Sequence, residues 1–341
     1  MLREQLLSEI VHERLLNIVR RFSERRLLIV GDSIADKFLY GSISRVSREA
    51  PVFILRHELT ETVPGGAANC ALNLAALGAN VSLISVAGND EAGNALRGKL
   101  SAAGVNVEGL VLSEKIQTTT KVRILAGHAH ANKQQVIRID YEDAPLNDPA
   151  LRQVLTNSLQ TSLARADAVI ISDYNYGLVD KQAVELIREA HRARNIPVLV
   201  DSRFRLSDFS GFTAATPNED EVEHMVGSPA DSLVQLEMAA SRLRQELQLD
   251  ALLVTRGRNG MMLVTDDPLP LQIPAVGAQA VDGTGAGDTV IATFALALAS
   301  DSSFAEAAQL ANYAGGLVVM KRGTASVSAV ELEQSIHDLR P

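Results

Sequence analysis

The stretch LLIVGD, at Leu27–Asp32, shows the pattern that decides the fold of this 341-residue chain. Four apolar residues in a row, stopped by a glycine, predict a short strand that is buried on both faces. Segments of the same kind recur at Val81–Val86, Ala168–Ile171, Val198–Val200 and Leu252–Val254. Helical patterns separate most of them, around 67–77, 91–103, 149–164, 181–194, 231–247 and 286–299. This alternation predicts an α/β fold with a mostly parallel sheet between two layers of helices.

Two regions, 37–63 and 117–141, break that rhythm because their apolar and polar residues alternate more nearly as in strands. They predict antiparallel strands with one exposed face, forming a small sheet that stands off the main sheet. An amphipathic helix is expected within about residues 1–24, packed on the main body. We find no internal repeat and no linker rich in proline or glycine, so residues 1–341 are expected to form one domain with an inserted sheet.

The composition excludes several classes of protein. The net charge is −9 and tryptophan is absent, which argues against a nucleic-acid partner. No apolar run reaches about 18 residues, and the charged N-terminus does not resemble a signal peptide, so no membrane partner is expected. One cysteine, Cys70, fits a reducing compartment, and we expect a cytoplasmic protein.

The strongest motif is VDGTGAGDT at residues 281–289, which leads directly into a helical pattern. Its glycines allow tight turns and close approach of the backbone to a ligand. The free N–H groups at a helix start favour an anion, and phosphate is the natural occupant. Asp288 would lie beside that anion, where it could accept a proton from an attacking hydroxyl. The alternative is an ordinary glycine-rich turn with an N-capping aspartate.

A second motif, PGGAAN at residues 64–69, precedes another helical pattern made of small residues. Gly65 and Gly66 permit close backbone approach, and Asn69 offers both donors and acceptors to a sugar hydroxyl. The alternative is a helix N-terminus that packs tightly on the sheet.

Together these motifs resemble the ribokinase, or PfkB, family of carbohydrate kinases, over about residues 25–335. The resemblance implies a ribokinase-like fold, with a Rossmann-like sheet and a small antiparallel β-lid. It implies transfer of the γ-phosphoryl group of ATP, with Mg²⁺, to a sugar hydroxyl. The anion hole and catalytic base would be Gly285, Ala286, Gly287 and Asp288.

The resemblance also implies roles for residues elsewhere in the chain. The sugar would contact Asp32, Gly65, Gly66, Asn69 and Asp173. The nucleotide would contact Asn218, Glu221, Thr255, Gly257 and Gly260. Asn218 and Glu221 would hold Mg²⁺ largely through water, and Asp282 and Thr284 would lie near a monovalent cation such as K⁺. A homodimer through the lid is expected by the same analogy.

Segments within 41–52, 134–140 and 172–174 are similar to one branch of this family, the bacterial heptose 7-phosphate kinases. Those enzymes phosphorylate the anomeric hydroxyl of a heptose 7-phosphate on the way to lipopolysaccharide core sugars. Two lysines that are usual in that branch are replaced here by Tyr176 and Arg203, and a usual proline by Arg48. Candidate contacts for the substrate phosphate are the predicted lid arginines Arg45, Arg123 and Arg138.

Two other classes of function remain open. One is a kinase of the same fold that acts on another sugar, a nucleoside or a cofactor precursor. The other is a non-catalytic regulator that binds a sugar or a nucleotide. A G-x-x-x-x-G-K match at residues 93–99 lacks the following Ser or Thr and is interpreted as a coincidence. The pair His128 and His130 is interpreted as a polar hairpin tip.

Overall fold

A computed structural model describes residues 12–127, 133–143, 146–276, 281–321 and 323–338. Its strands are β1 (Arg26–Gly31), β2 (Ser33–Val46), β3 (Phe53–Gly66), β4 (Asn80–Gly88), β5 (Leu110–Ser113), β6 (Thr120–Gly127), β7 (Gln134–Tyr141), β8 (Ala168–Asp173), β9 (Val198–Ser202), β10 (Ala214–Ala215), β11 (Ala251–Thr255), β12 (Met261–Val264) and β13 (Leu271–Ile273). Its helices are α1 (residues 12–20), α2 (Ala67–Ala76), α3 (Glu91–Ala102), α4 (Pro149–Leu163), α5 (Lys181–Arg194), α6 (Glu219–Val226), α7 (Leu233–Glu246), α8 (Ala286–Ala299), α9 (Phe304–Val318) and α10 (Ala329–Asp338).

The main sheet has nine strands in the order β13-β12-β11-β10-β9-β8-β1-β4-β5. The seven strands from β11 to β5 are parallel, whereas β12 and β13 run antiparallel at one edge. Successive residues of β1 point to opposite faces, so Leu27 and Ile29 enter one core while Leu28 and Val30 enter the other. The predicted α/β architecture is therefore confirmed, with helices packed on both faces.

The small sheet has the order β3-β2-β6-β7 and forms the predicted lid. Its outer pairs, β3 with β2 and β6 with β7, are antiparallel, which confirms the predicted antiparallel lid strands, whereas the central pair of β2 and β6 runs parallel. The reason is topological. Both β2 and β6 follow parallel strands, β1 and β5, and therefore leave the same carboxyl edge of the main sheet in the same direction.

The helix predicted near the N-terminus is seen over residues 12–20, and residues 1–11 lie outside the described part. Leu15, Leu16, Ile18 and Val19 are buried in the core that also receives α2, α8 and α9. His128 and His130 also lie outside the described residues. Among the helices that are described, none has the length and apolar character needed to cross a membrane.

Candidate active site

Asp288 lies in the first turn of α8 and is only 7% exposed. Its Oδ2 accepts a hydrogen bond of 2.6 Å from Nδ2 of Asn69, and the hydroxyl of Tyr174 also interacts with this carboxylate. Burial raises the pKa of Asp288 to about 7; the hydrogen bonds from Asn69 and Tyr174 oppose this rise, and the nearby charge of Asp36 adds to it. A carboxyl with a pKa near neutrality is well matched to accepting a proton.

The loop before α8 has the features of an anion site. Gly285 caps the helix with a φ of 78°, and a Cβ there would lie 2.7 Å from Nδ2 of Asn69. Among the described residues, the N–H groups of Gly287 and Asp288 have no hydrogen-bond acceptor, as is usual in a first helical turn. The N–H group of Ala286 donates to the carbonyl oxygen of Gly283 at 3.2 Å. The anion hole formed by Gly285–Asp288 stays a prediction.

Asp282 organises the same loop. Its Oδ1 accepts from the N–H of Thr284 at 2.9 Å, and its Oδ2 accepts from the N–H of Gly323 at 3.0 Å. Burial acts to raise the pKa of Asp282, but these hydrogen bonds outweigh it and the pKa is lowered. Asp282 and Thr284 are thus adjacent, as a cation site would require, and occupation by K⁺ stays a prediction.

The two glycines of the second motif lie against two aspartates, where a side chain would meet their atoms. A Cβ on Gly65 would lie 2.4 Å from Oδ2 of Asp36, so a larger residue would have to displace that carboxylate. Gly66 has a φ of 57°, and a Cβ there would lie 2.6 Å from the carbonyl oxygen of Asp32. The chain therefore turns from β3 into α2, which carries Asn69, directly beside both acidic residues.

Asp36 is a site residue that our sequence reasoning missed. It is buried on β2, it forms an ion pair with Arg123, and its charge acts on Asp288. The available signal was the charged pair Asp36 and Lys37 between apolar residues at the start of a predicted strand.

Asp32 contacts the backbone of the loop after β8. Its carboxylate accepts hydrogen bonds from the N–H groups of Tyr174 at 2.8 Å, Tyr176 at 3.2 Å and Leu178 at 3.4 Å. Burial raises its pKa to about 6 although these bonds lower it. Asp32 thus anchors the loop after β8, and a direct contact with sugar stays a prediction.

Asp173 is fully buried at the end of β8. Its Oδ2 accepts a 2.7 Å hydrogen bond from Ser202, while its Oδ1 has no hydrogen-bond partner among the described residues and lies 3.7 Å from Arg205. Nearby, burial raises the pKa of Asp201 to about 8, and the charges of Asp288, Glu221 and Asp173 add to this rise. Asp173 therefore fixes the segment that carries Arg203, and its contact with the substrate stays a prediction.

The predicted nucleotide residues converge beside this centre. Asn218 and Thr255 form a parallel bridge, which places the loop after β11 next to the start of α6. Gly257 and Gly260 have φ values of 51° and 85°, so both turns of that loop favour glycine.

Asn218 and Glu221 form a reciprocal capping box at the start of α6. Oδ1 of Asn218 accepts from the N–H of Glu221 at 2.8 Å, and Oε2 of Glu221 accepts from the N–H of Asn218 at 2.9 Å. In the part of the chain that is described, no three His, Cys, Asp or Glu side chains are grouped to hold a metal directly. Water-mediated binding of Mg²⁺ through Asn218 and Glu221 fits this arrangement and stays a prediction.

A cavity of about 400 Å³ opens beside Tyr174, between the lid and the main sheet. It is lined by Lys121, Arg138, Asp140, Glu142, Asp143, Tyr174, Asn175, Tyr176, Arg203 and Phe204. Of the candidate arginines only Arg138 lines it; Arg45 is exposed near the far end of β2, and Arg123 is paired with Asp36. Tyr176, in a position usually held by lysine, donates a hydrogen bond to Glu142.

Comparison with known proteins decides the family. The model of the pfkB family of carbohydrate kinases matches residues 30–331. The chain belongs to the pfkB family. It is therefore a phosphotransferase with an alcohol acceptor, an ATP-dependent sugar kinase, as the motifs predicted. Kinases of this family use ATP with Mg²⁺.

Relatives of this pfkB kinase include the bifunctional protein HldE of Pseudomonas aeruginosa, 42% identical over 317 residues. The match covers 93% of this chain and 64% of that protein, so the chain spans less than two thirds of the relative. HldE of Pseudomonas savastanoi is 41% identical with the same coverage.

Solved structures confirm the ribokinase-like fold. Arabidopsis thaliana ribokinase, complexed with ribose and ATP, matches with a TM-score of 0.72 at 20% identity, covering 92% of this chain and 98% of that one. Phosphofructokinase-2 of Escherichia coli matches with a TM-score of 0.75 at 21% identity, covering 93% and 100%.

Proposed function

We propose that this kinase phosphorylates the anomeric hydroxyl of a heptose 7-phosphate, in the cytoplasm and toward lipopolysaccharide core sugars. The observation that carries the proposal is the cavity beside Tyr174. Tyr174 borders the cavity with its ring and reaches Asp288 with its hydroxyl. A sugar that extends from Asp288 past Tyr174 would place its far end among the cationic residues of the cavity. The similarity to HldE proteins supports the same substrate.

Two cations are suited to hold the substrate phosphate. Nζ of Lys121 lies 5.7 Å from the centre of the Tyr174 ring, and burial lowers the pKa of this lysine. Arg203 lines the same cavity from the end of β9. Arg138, by contrast, donates two hydrogen bonds to Asp140 and is already paired. Lys121 and Arg203 would therefore bind the substrate phosphate in place of the two lysines that are usual in this branch.

The site residues act on the sugar and the phosphoryl group. Asp36 and Asn69 would hold sugar hydroxyls, and Asp288 would accept the proton of the attacking hydroxyl. The N–H groups at the start of α8 would stabilise charge on the transferred phosphoryl group. Magnesium bound with ATP supplies charge neutralisation at the phosphates, with Asn218 and Glu221 as its nearest predicted support.

ATP consumption with a panel of acceptors tests the reaction. We expect heptose 7-phosphate to be preferred over the unphosphorylated heptose, fructose 6-phosphate, ribose and nucleosides. Asp288→Asn should lower kcat by about 10²- to 10⁴-fold and leave the KM for ATP nearly unchanged. A panel in which a nucleoside or an unphosphorylated sugar is the best acceptor would refute the proposed substrate, and full activity of Asp288→Asn would refute the base.

The phosphate contact has its own test. Lys121→Met should raise the KM for heptose 7-phosphate by about 10- to 100-fold, because it removes a charge-assisted contact. The KM for unphosphorylated heptose should change little. Lys99→Met, on the exposed face of α3, is the matched control. An equal rise in KM for both acceptors would show that Lys121 does not bind the substrate phosphate.

A further inference from the structure

We propose that Asn73 and Thr289 are positioning residues that hold the amide of Asn69 with its NH₂ group toward Asp288. The inference rests on the proposed role of Asp288 as the base. It concerns Asn73 on α2 and Thr289 on α8, to which no role has been given above, and neither would touch the substrate.

The evidence is a chain of buried hydrogen bonds between α2 and α8. Thr289 Oγ1 donates to Asn73 Oδ1 at 2.7 Å. Nδ2 of Asn73 donates to the carbonyl oxygen of Asn69 at 3.0 Å and to its Oδ1 at 3.3 Å. Nδ2 of Asn69 then donates to Asp288 at 2.6 Å. Thr289 is 0% exposed, Asn73 1% and Asn69 2%, so water does not compete for these groups.

The donor and acceptor roles in each hydrogen bond determine those in the next hydrogen bond of the chain. An amide has one donating and one accepting end, and a rotation of 180° exchanges them. If Asn69 rotated, its Oδ1 would face the Asp288 carboxylate and its NH₂ would face the NH₂ of Asn73, so two repulsive contacts would form. Asn73 is held in turn by Thr289, whose hydroxyl lies much closer to Asn73 than to its other acceptor, the carbonyl oxygen of Gly285, at 3.4 Å.

The orientation of Asn69 affects the ionisation of Asp288, the proposed base. A hydrogen bond from Asn69 stabilises the charged form of Asp288, which burial disfavours. Without the chain, Asn69 loses its fixed orientation and the carboxylate loses both its position and part of that stabilisation. The effect should therefore appear in turnover and in its pH dependence, whereas the nucleotide site around Thr255 is unaffected.

The pH profile of kcat tests the proposal, with two buried threonines of α8 as a matched pair. Thr289→Val removes the donor to Asn73, whereas Thr293→Val removes a hydroxyl that bonds only the carbonyl oxygen of Thr289. We expect Thr289→Val and Asn73→Leu to lower kcat by about tenfold or more. The midpoint of the acidic limb should move upward by roughly one pH unit, and the KM for ATP should not change. Thr293→Val should keep the wild-type profile, and Thr289→Ser, which retains the hydroxyl, should restore it.

Two outcomes would overturn the inference. One is a wild-type pH midpoint in Thr289→Val and Asn73→Leu, whatever their kcat. The other is an equal shift in Thr293→Val, which would indicate a general loss of packing. Asp288→Asn separates this failure from that of the proposed function: its full activity refutes the base, whereas its inactivity beside an unshifted Thr289→Val refutes only the positioning pair. If Asn73→Leu does not fold, the comparison of Thr289→Val with Thr289→Ser still decides.

Discussion

At the scale of single residues, the site depends on two aspartates four positions apart that have opposite surroundings. Asp32 is surrounded by backbone N–H groups and fixes the loop after β8. Asp36 faces Gly65, pairs with Arg123 and influences Asp288. A carboxylate that already accepts several backbone hydrogen bonds has little capacity left for a ligand. We therefore expect Asp36 to bind the sugar and Asp32 to keep the loop after β8 in place.

Asp36→Asn should therefore raise the KM for the sugar by about tenfold or more, since a charge-assisted hydrogen bond to a hydroxyl is replaced by a neutral one. The KM for ATP should stay within about twofold, well below the effect of a lost charged hydrogen bond. Steady-state kinetics with each substrate varied in turn measure both values. An unchanged sugar KM would remove Asp36 from the binding site.

Asp32→Asn should act mainly on stability. The substituted amide accepts hydrogen bonds at only one of its two ends, so the free energy of unfolding should fall by about 1–3 kcal/mol. Urea unfolding at neutral pH measures the change. A variant with wild-type stability and a strongly raised sugar KM would instead support Asp32 as the sugar ligand.

At the scale of elements, α8 is suited to its proposed catalytic role because its N-terminus is open and its remaining length is buried. Most of its residues between Val290 and Ala299 lie in the core against α2, α9 and the main sheet, so the first turn has little freedom to move. The approach of this turn to α2 depends on a glycine with positive φ. The position of the predicted anion hole thus depends on helix packing as much as on the glycine motif.

Gly285→Ala should lower the free energy of unfolding by about 1–3 kcal/mol, because the residue must keep a positive φ and its Cβ would meet Asn69. Gly287→Ala is the control, since a Cβ there has nothing within 4 Å. It should leave stability unchanged or raise it by up to about 1 kcal/mol, as alanine favours helix. Thermal unfolding without ligand measures both, and equal effects would contradict the explanation.

At the scale of the whole molecule, several buried carboxyls bind protons more tightly in the folded state. Burial raises the pKa of Asp32 to about 6, of Asp288 to about 7 and of Asp201 to about 8. A pKa that is higher when folded gives stability that is complete below the unfolded value and is lost as pH rises through the folded value. Conversely, the pKa of Glu331 is lowered to about 2, so its contribution is lost in acid.

The ligand-free protein should therefore have its highest melting temperature in acidic solution near the ordinary pKa of an aspartate, and the temperature should fall from about pH 4 to about pH 8, the highest folded pKa of the three groups. Asp201→Asn should make this fall smaller, because the charged form is no longer available. Asp231→Asn, at an exposed position, is the control. Thermal unfolding followed by circular dichroism measures the melting temperature at each pH. An equal fall of the melting temperature with pH in Asp201→Asn and the wild type would contradict the prediction.

The lid presents an apolar surface that fits a homodimer. Strand β7 is exposed along its whole length, and Val136, Ile137, Ile139 and Tyr141 are 42–55% exposed. We propose that two lids pack together, so Ile139→Asp should shift the protein from dimer to monomer in sedimentation velocity. Val330→Asp, 75% exposed on α10, should not. A wild-type protein that sediments as a monomer would exclude this interface.

Local patterns in the sequence determined much of this protein. The strands, most of the helices and both glycine loops were predictable because periodicity and glycine conformation act between neighbouring residues. Asp288 could be predicted as the base for the same reason, since its position at a helix start is local, and that role stays a prediction. The parallel pairing of β2 with β6 was missed because it depends on which sheet edge each strand leaves.

Only the tertiary structure decided which polar groups meet. Asn69 and Asp288 are 219 residues apart, and their contact depends on the packing of α2 against α8. The roles of Asp32 and Asp36 depend on the loop after β8 and on Gly65, and the place of Lys121 depends on how the lid lies over Tyr174. The physical reason is that hydrogen bonds and charge contacts act over a few ångströms in space, whatever their separation along the chain.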